Sequence, residues 1–79
     1  MNNLELLQRQ VMYFVGMQGG IKGGSFNEAL IIAIFLADRG NRIKLQMGFP
    51  ELVGIICAYQ TGRGVEKYPL IQEAVREDR

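Results

Sequence analysis

The sequence predicts a mainly α-helical protein: two N-terminal helices, one short strand, then two C-terminal helices. Three observations predict it. Apolar residues recur at helical spacing over 3–17, 50–61 and 69–77. Two helix-start patterns, Asn2 to Glu5 and Ser25 to Glu28, stand directly before apolar segments. One stretch, 42–47, alternates polar and apolar residues without a break, which is the period of a strand.

The first helix is expected over 3–17, with Leu4, Leu7, Val11, Phe14 and Val15 on one face. Asn2 is its expected N-cap, and Glu5 and Arg9 are i,i+4 neighbours in the favourable order. Gly19, Gly20, Gly23 and Gly24 then make a connection that reads as a flexible hinge. The second helix is expected from Phe26 to about Asp38, capped by Ser25 and closed by Gly40. Its run from Ala29 to Ala37 is apolar on every face, so it should be the buried centre. Its three isoleucines leave an alternative open. Residues 29–37 as a strand, joined through an Asp38–Asn41 turn, would give an α+β fold with a β-hairpin at 29–48 packed on helices. As a strand, 42–47 puts Ile43, Leu45 and Met47 on one face and Arg42, Lys44 and Gln46 on the other. Pro50 suits the first turn of a helix over 50–61, which Gly62-Arg63-Gly64 breaks. A last helix runs from Pro69 to about Glu77, with Leu70, Ile71, Ala74 and Val75 inward.

Seventy-nine residues make one domain, read as an N-terminal helical extension over 1–40 and a second part over 41–79. So short a chain is marginal alone and is usually rescued by disulfides, a metal or oligomerisation. Cys57 is the only cysteine and there is no histidine, so neither a disulfide nor a structural zinc site is available within the chain. Association with a second copy is the remedy left, and the 48% apolar content supports it. The same absences remove the histidine-based nucleophilic constellations. Glu51, Glu66, Glu73 and Glu77 sit beside basic or polar neighbours in solvent-facing patterns. The expectation is therefore a protein that binds rather than catalyses, with no metal, no cofactor and no small-molecule substrate. The longest apolar run is nine residues. A membrane span needs about 20. A cytoplasmic protein is expected, with no membrane partner.

A lone strand must have its backbone groups paired. With 26–38 helical, the available partner is the same strand of a second molecule. Such a ribbon would bury Ile43, Leu45 and Met47 and present two copies of Arg42, Lys44 and Gln46. A two-stranded ribbon fits the DNA major groove, where arginine and lysine donate to guanine and glutamine reads adenine. From Arg42 to Glu77 the chain resembles the ribbon-helix-helix family of DNA-binding repressors. The ribbon is similar over 42–47, the first helix over Pro50-Glu51-Leu52-Val53 with Ile56 and Tyr59, and the second over 70–76. The resemblance implies a homodimeric transcription regulator on double-stranded DNA. Arg42, Lys44 and Gln46 would read bases, while Lys67 and the second helix's N-terminus would hold the backbone. Leu70, Ile71 and Ala74 would join Ile43, Leu45 and Met47 in the dimer interface. Four features depart from the family. The turn at Gly48-Phe49 is one residue long, Lys67-Tyr68-Pro69 replaces the usual hydroxyl cap, about forty residues precede the strand, and Ile55, Cys57 and Ala58 lie on a face usually solvated. An N-terminal half covering that face would account for the last two.

The alternative is a small non-catalytic protein-interaction module: an inhibitor, adaptor or assembly subunit of phage or plasmid type. Apolar excess and a net charge of only +1 favour it. Gly20-Ile21-Lys22-Gly23 resembles the GXXG loop of RNA-binding KH domains, but no sheet surrounds it and no P-loop order is present. Cys57 reads as packing, and Met12, Met17 and Met47 as core filling.

Overall fold

Helix α1 spans Asn3–Phe14, α2 Ser25–Leu36, α3 Arg39–Gly48, α4 Pro50–Thr61 and α5 Pro69–Glu77, with a 3₁₀ turn at Val65–Lys67. These elements come from a computed structural model, which describes residues 1–77. α4 stands at the centre, and α1, α2, α3, α5 and the 3₁₀ turn all pack on it. Leu52, Val53, Ile55, Ile56 and Ala58 of α4 are buried, joined by Val11, Met12, Ile31, Ile34 and Ile71 from the surrounding helices. Of the face expected to be covered, Ile55 and Ala58 are buried and Cys57 is half-buried, and α1 and α2 are among the helices packed on α4.

The predicted strand is helix α3, and no strand is present among the described residues. The ribbon, the ribbon-helix-helix architecture and the alternative hairpin at 29–48 are therefore all overturned. Three local facts account for it. Asp38 has extended backbone and its Oδ1 accepts the Asn41 N–H at 2.8 Å, so it caps a helix where a turn was expected. The segment Arg42–Met47 holds only one β-branched residue among good helix formers. The side that α3 turns toward the core carries Arg42 and Leu45, at i and i+3. Arg42 and Leu45 are half-buried, whereas Ile43 and Met47 face outward. Alternation coincided with a helical stripe offset from it.

Boundaries shift elsewhere for equally local reasons. α1 begins as expected, with Asn2 Oδ1 accepting the Glu5 N–H at 2.7 Å, but ends at Phe14. α2 starts one residue early: Gly24 is its N-cap and Ser25 is already helical, with no side-chain cap bond. It stops at Leu36, and Gly40 lies inside α3 rather than closing α2. α4 and α5 occupy the predicted spans, and Gly62 ends α4 in the left-handed conformation at φ 79°.

The glycine-rich connection is laid along α1 instead of hanging free. Ile21 donates its N–H to Arg9 O at 3.0 Å, and Arg9 Nη1 donates to Gly19 O at 2.8 Å. A Cβ at Gly20 would overlap the backbone of Tyr13, so glycine there permits a close approach of two backbones. Asn27 Nδ2 donates to the buried Gln10 Oε1 at 2.8 Å and ties α2 to α1. No described helix is long and apolar enough to cross a membrane.

Candidate functional site

Two surfaces carry chemistry that the fold itself leaves unexplained. The first is a groove between α3, α4 and the 3₁₀ turn, with a volume of about 550 Å³. Pro50, Val53, Gly54 and Cys57 of α4 form its floor, with Ile43 and Tyr68 at the sides. Arg39, Arg42, Arg63 and Lys67 bring four cations to it, and no carboxylate lines it. Among the described residues the one ion pair is Arg9–Glu5, so these cations have no anionic partner. Arg39 and Arg42 lie in the first turn of α3, where the helix dipole disfavours positive charge. Helix stability therefore does not account for them.

Arg42 is accounted for by the fold. Its Nη2 donates to Ile34 O at 2.8 Å, at the carbonyl end of α2, and its Nη1 donates to Gln60 Oε1 at 2.7 Å. Its Nε is buried without an acceptor. Arg42 thus ties α2, α3 and α4 together while lending its charge to the groove. Arg39, Arg63 and Lys67 make no side-chain hydrogen bond among the described residues, and all three are exposed. The Tyr68 hydroxyl lies against Gly54, where a Cβ would meet it. Burial raises the Tyr68 phenol above its ordinary value, and the nearby Glu51 and Cys57 push the same way. Cys57 is half-buried, with its Sγ 3.8 Å from Thr61 Oγ1 and no cation engaged with it.

The second surface is the outer side of α2. Phe26, Ala29, Ile32, Ala33 and Leu36 are all exposed and follow one helical stripe, with no charged residue among them. Phe26 keeps 66% of its surface accessible, Leu36 80%, and across the helix pair Ile43 keeps 54% and Met47 84%. Phe26 also meets Phe49, with ring centroids 6.2 Å apart. A shallow groove of about 390 Å³ between Ala33, Leu36, Ala37, Asn41, Lys44 and Leu45 continues this face onto α3.

Against these surfaces the sequence-derived site is partly scattered. Arg42, Gln46 and Lys67 line the same groove, while Lys44 lines the other one. The expected dimer residues divide as well. Ile71 is fully buried, Leu70 and Ala74 are half-buried against the core, and Leu45 packs inward, so the single chain already uses these four. Ile43 and Met47 stay outside. The N-terminus of α5, expected to hold a phosphate, is sealed. Gln8 of α1 accepts the Leu70 N–H at 2.9 Å and the Ile71 N–H at 3.3 Å through the same Oε1.

No family model matches this chain, and no curated protein or solved structure matches it. Arg63 was missed by sequence reasoning, since nothing local separates it from an ordinary surface cation, while Arg39 stands out in the sequence only as part of an acid-free basic run with Arg42 and Lys44. The outer stripe was missed because a helix apolar all round gives no sign of which side its neighbours cover.

Proposed function

We propose that the protein is a non-catalytic interaction module whose first contact is with its own kind, two copies pairing through the outer faces of α2. The observation that carries this is the uncharged, exposed stripe Phe26, Ala29, Ala33 and Leu36. Its order is self-complementary. In an antiparallel two-fold pairing centred near Ile31, Ala29 of each copy lies opposite Ala33, and Phe26 lies opposite Leu36. Alanines at the crossing allow close approach of the two helices, and the large side chains flank it. Such an isologous contact needs no second surface. A net charge of +1 gives little mutual repulsion. A single helical stripe covers less than the roughly 800 Å² per partner of a standard interface, the size class of transient contacts.

Sedimentation velocity across a wide concentration series tests this. The wild type is expected to pass from monomer to dimer. Leu36→Glu, exposed in the single chain, is expected to stay monomeric with an unchanged helical spectrum. A wild type that remains monomeric up to millimolar concentration, or a Leu36→Glu dimer of unaltered strength, overturns the proposal.

A further inference from the structure

We propose that the groove between α3, α4 and the 3₁₀ turn binds a nucleotide unit, with its phosphate on Arg39, Arg63 and Lys67 and its base on the apolar floor. This surface is separate from the outer face of α2, so it stands whether or not the chain pairs. Four observations converge on it. The groove has the size of a small-ligand site, about 550 Å³. Its lining carries four cations and no acid. Three of those cations have no work in the fold, being exposed and without an ion-pair or side-chain hydrogen-bond partner among the described residues. Two of the three sit on a turn that Gly62 and Gly64 hold in left-handed conformations, at φ 79° and 69°, which sets Arg63 and Lys67 across from Arg39.

The floor favours a planar ligand over a bare anion. Val53, Pro50 and Ile43 offer apolar surface, and Gly54 leaves the space in which the Tyr68 ring stands. A base laid against an aromatic ring and aliphatic side chains is a recurrent mode for single nucleotides. Arginine pairs with phosphate oxygens through two parallel donors, which suits Arg39 and Arg63, while Lys67 adds a point charge. Glu51 lies near Tyr68 outside the lining and opposes an anion beside the Tyr68 hydroxyl, which leaves the phosphate to Arg39, Arg63 and Lys67.

The unit could be a free nucleotide or one residue of a strand, and the assay separates these. The purified full chain is titrated, by fluorescence polarisation, into a labelled single-stranded oligonucleotide of mixed sequence. It is also titrated by calorimetry with adenosine triphosphate and, separately, inorganic phosphate. Oligonucleotide binding is expected to fall with salt on a log–log slope of about −0.7, for the one phosphate neutralised on a single strand. Competition by the triphosphate identifies a free-nucleotide site, and oligonucleotide binding that resists it identifies a strand unit. The Arg39→Gln/Arg63→Gln/Lys67→Gln variant is expected to bind at least about tenfold more weakly, and a Lys22→Gln/Arg76→Gln control to change less than about twofold. Equal loss in both variants would reduce the effect to net charge and overturn the site. So would binding of inorganic phosphate as tight as of the nucleotide, or no binding to any of the three probes.

Discussion

Replacing Gln8 by leucine removes the acceptor that caps α5 from a distance while keeping most of the side chain's volume. The structure sets the size of the effect. Pro69 opens α5 and has no N–H, so the first orphan donors are those of Leu70 and Ile71. Both are satisfied by Gln8 Oε1 alone, at 2.9 and 3.3 Å, and the Ile71 bond is buried. Gln8 itself is only 2% exposed, so water has no easy route to replace it. A buried donor left without a partner costs about 1–3 kcal/mol. Leu70 is partly accessible and recovers some of that, so the total is about 2–3 kcal/mol. For a chain of this size that is a shift of roughly 10–20 °C in Tm. Thermal and urea unfolding followed by circular dichroism measure it, with an unchanged urea slope indicating that the denatured state is not the cause. A Tm lowered by less than about 3 °C would mean that α5 does not depend on this cap, and the assigned role of Gln8 would be wrong.

Other outcomes follow from the same structure. Gly20→Ala is expected to destabilise by at least about 2 kcal/mol, because its methyl meets the Tyr13 backbone and neither chain can move aside cheaply; urea unfolding reads it. Ile56→Ala, at a fully buried position on the central helix, is expected to cost about 2–5 kcal/mol, whereas Met47→Ala, exposed on α3, is expected to stay within about 0.5 kcal/mol in the monomer. Asp38→Ala removes the bond to the Asn41 N–H and is expected to cost about 1 kcal/mol in the same assay. The Tyr68 phenol is raised in the fold, mainly by burial, so the folded state holds that proton more tightly than the unfolded chain. Its contribution to stability is complete below the ordinary tyrosine range and is lost as pH climbs through the raised value. Alkaline titration of tyrosinate absorbance is expected to lose amplitude above the ordinary tyrosine range in Tyr68→Phe, and an unchanged curve would count against that assignment.

How much of this was legible beforehand depends on whether the signal was local. The Asn2 cap, Pro50 at the start of α4 and the left-handed Gly62 at its end are each fixed by a few neighbouring residues, and the sequence marks them correctly. Residues 42–47 failed because two periodicities overlap there. Ile43, Leu45 and Met47 alternate as a strand would, yet the same segment offers Arg42 and Leu45 to a helical inner face. What tipped the balance lies outside the six residues: the Asp38 cap on one side, and the Arg42 bonds to Ile34 and Gln60 on the other. Alternation says nothing of either. The cap on α5 was illegible for a stronger reason, since Gln8 and Leu70 meet only after α1 and α5 have packed on α4.

The misplaced centre of the molecule bears on function as well as on fold. Residues 29–37 form the most apolar segment of the chain, and that marks them as the innermost element. Yet α4 is almost as apolar, and 79 residues cannot surround two such helices. The contest is settled by connectivity. α3 is joined to α4 through Phe49 alone, and α5 follows it after a short turn, so α4 has chain neighbours packed on it from both sides. α1 packs on α4 and α5, and in α2 only Ile31 and Ile34 are fully buried. Leu30 and Phe35 pack against the core and Phe26 touches Phe49, but the outer stripe Phe26, Ala29, Ile32, Ala33 and Leu36 stays exposed. Surplus hydrophobicity in a small domain ordinarily signals a partner, and here its location follows from the order of the helices. A substitution on that outer stripe should therefore change association without changing the fold, whereas one at Ile31 or Ile34 should do the reverse.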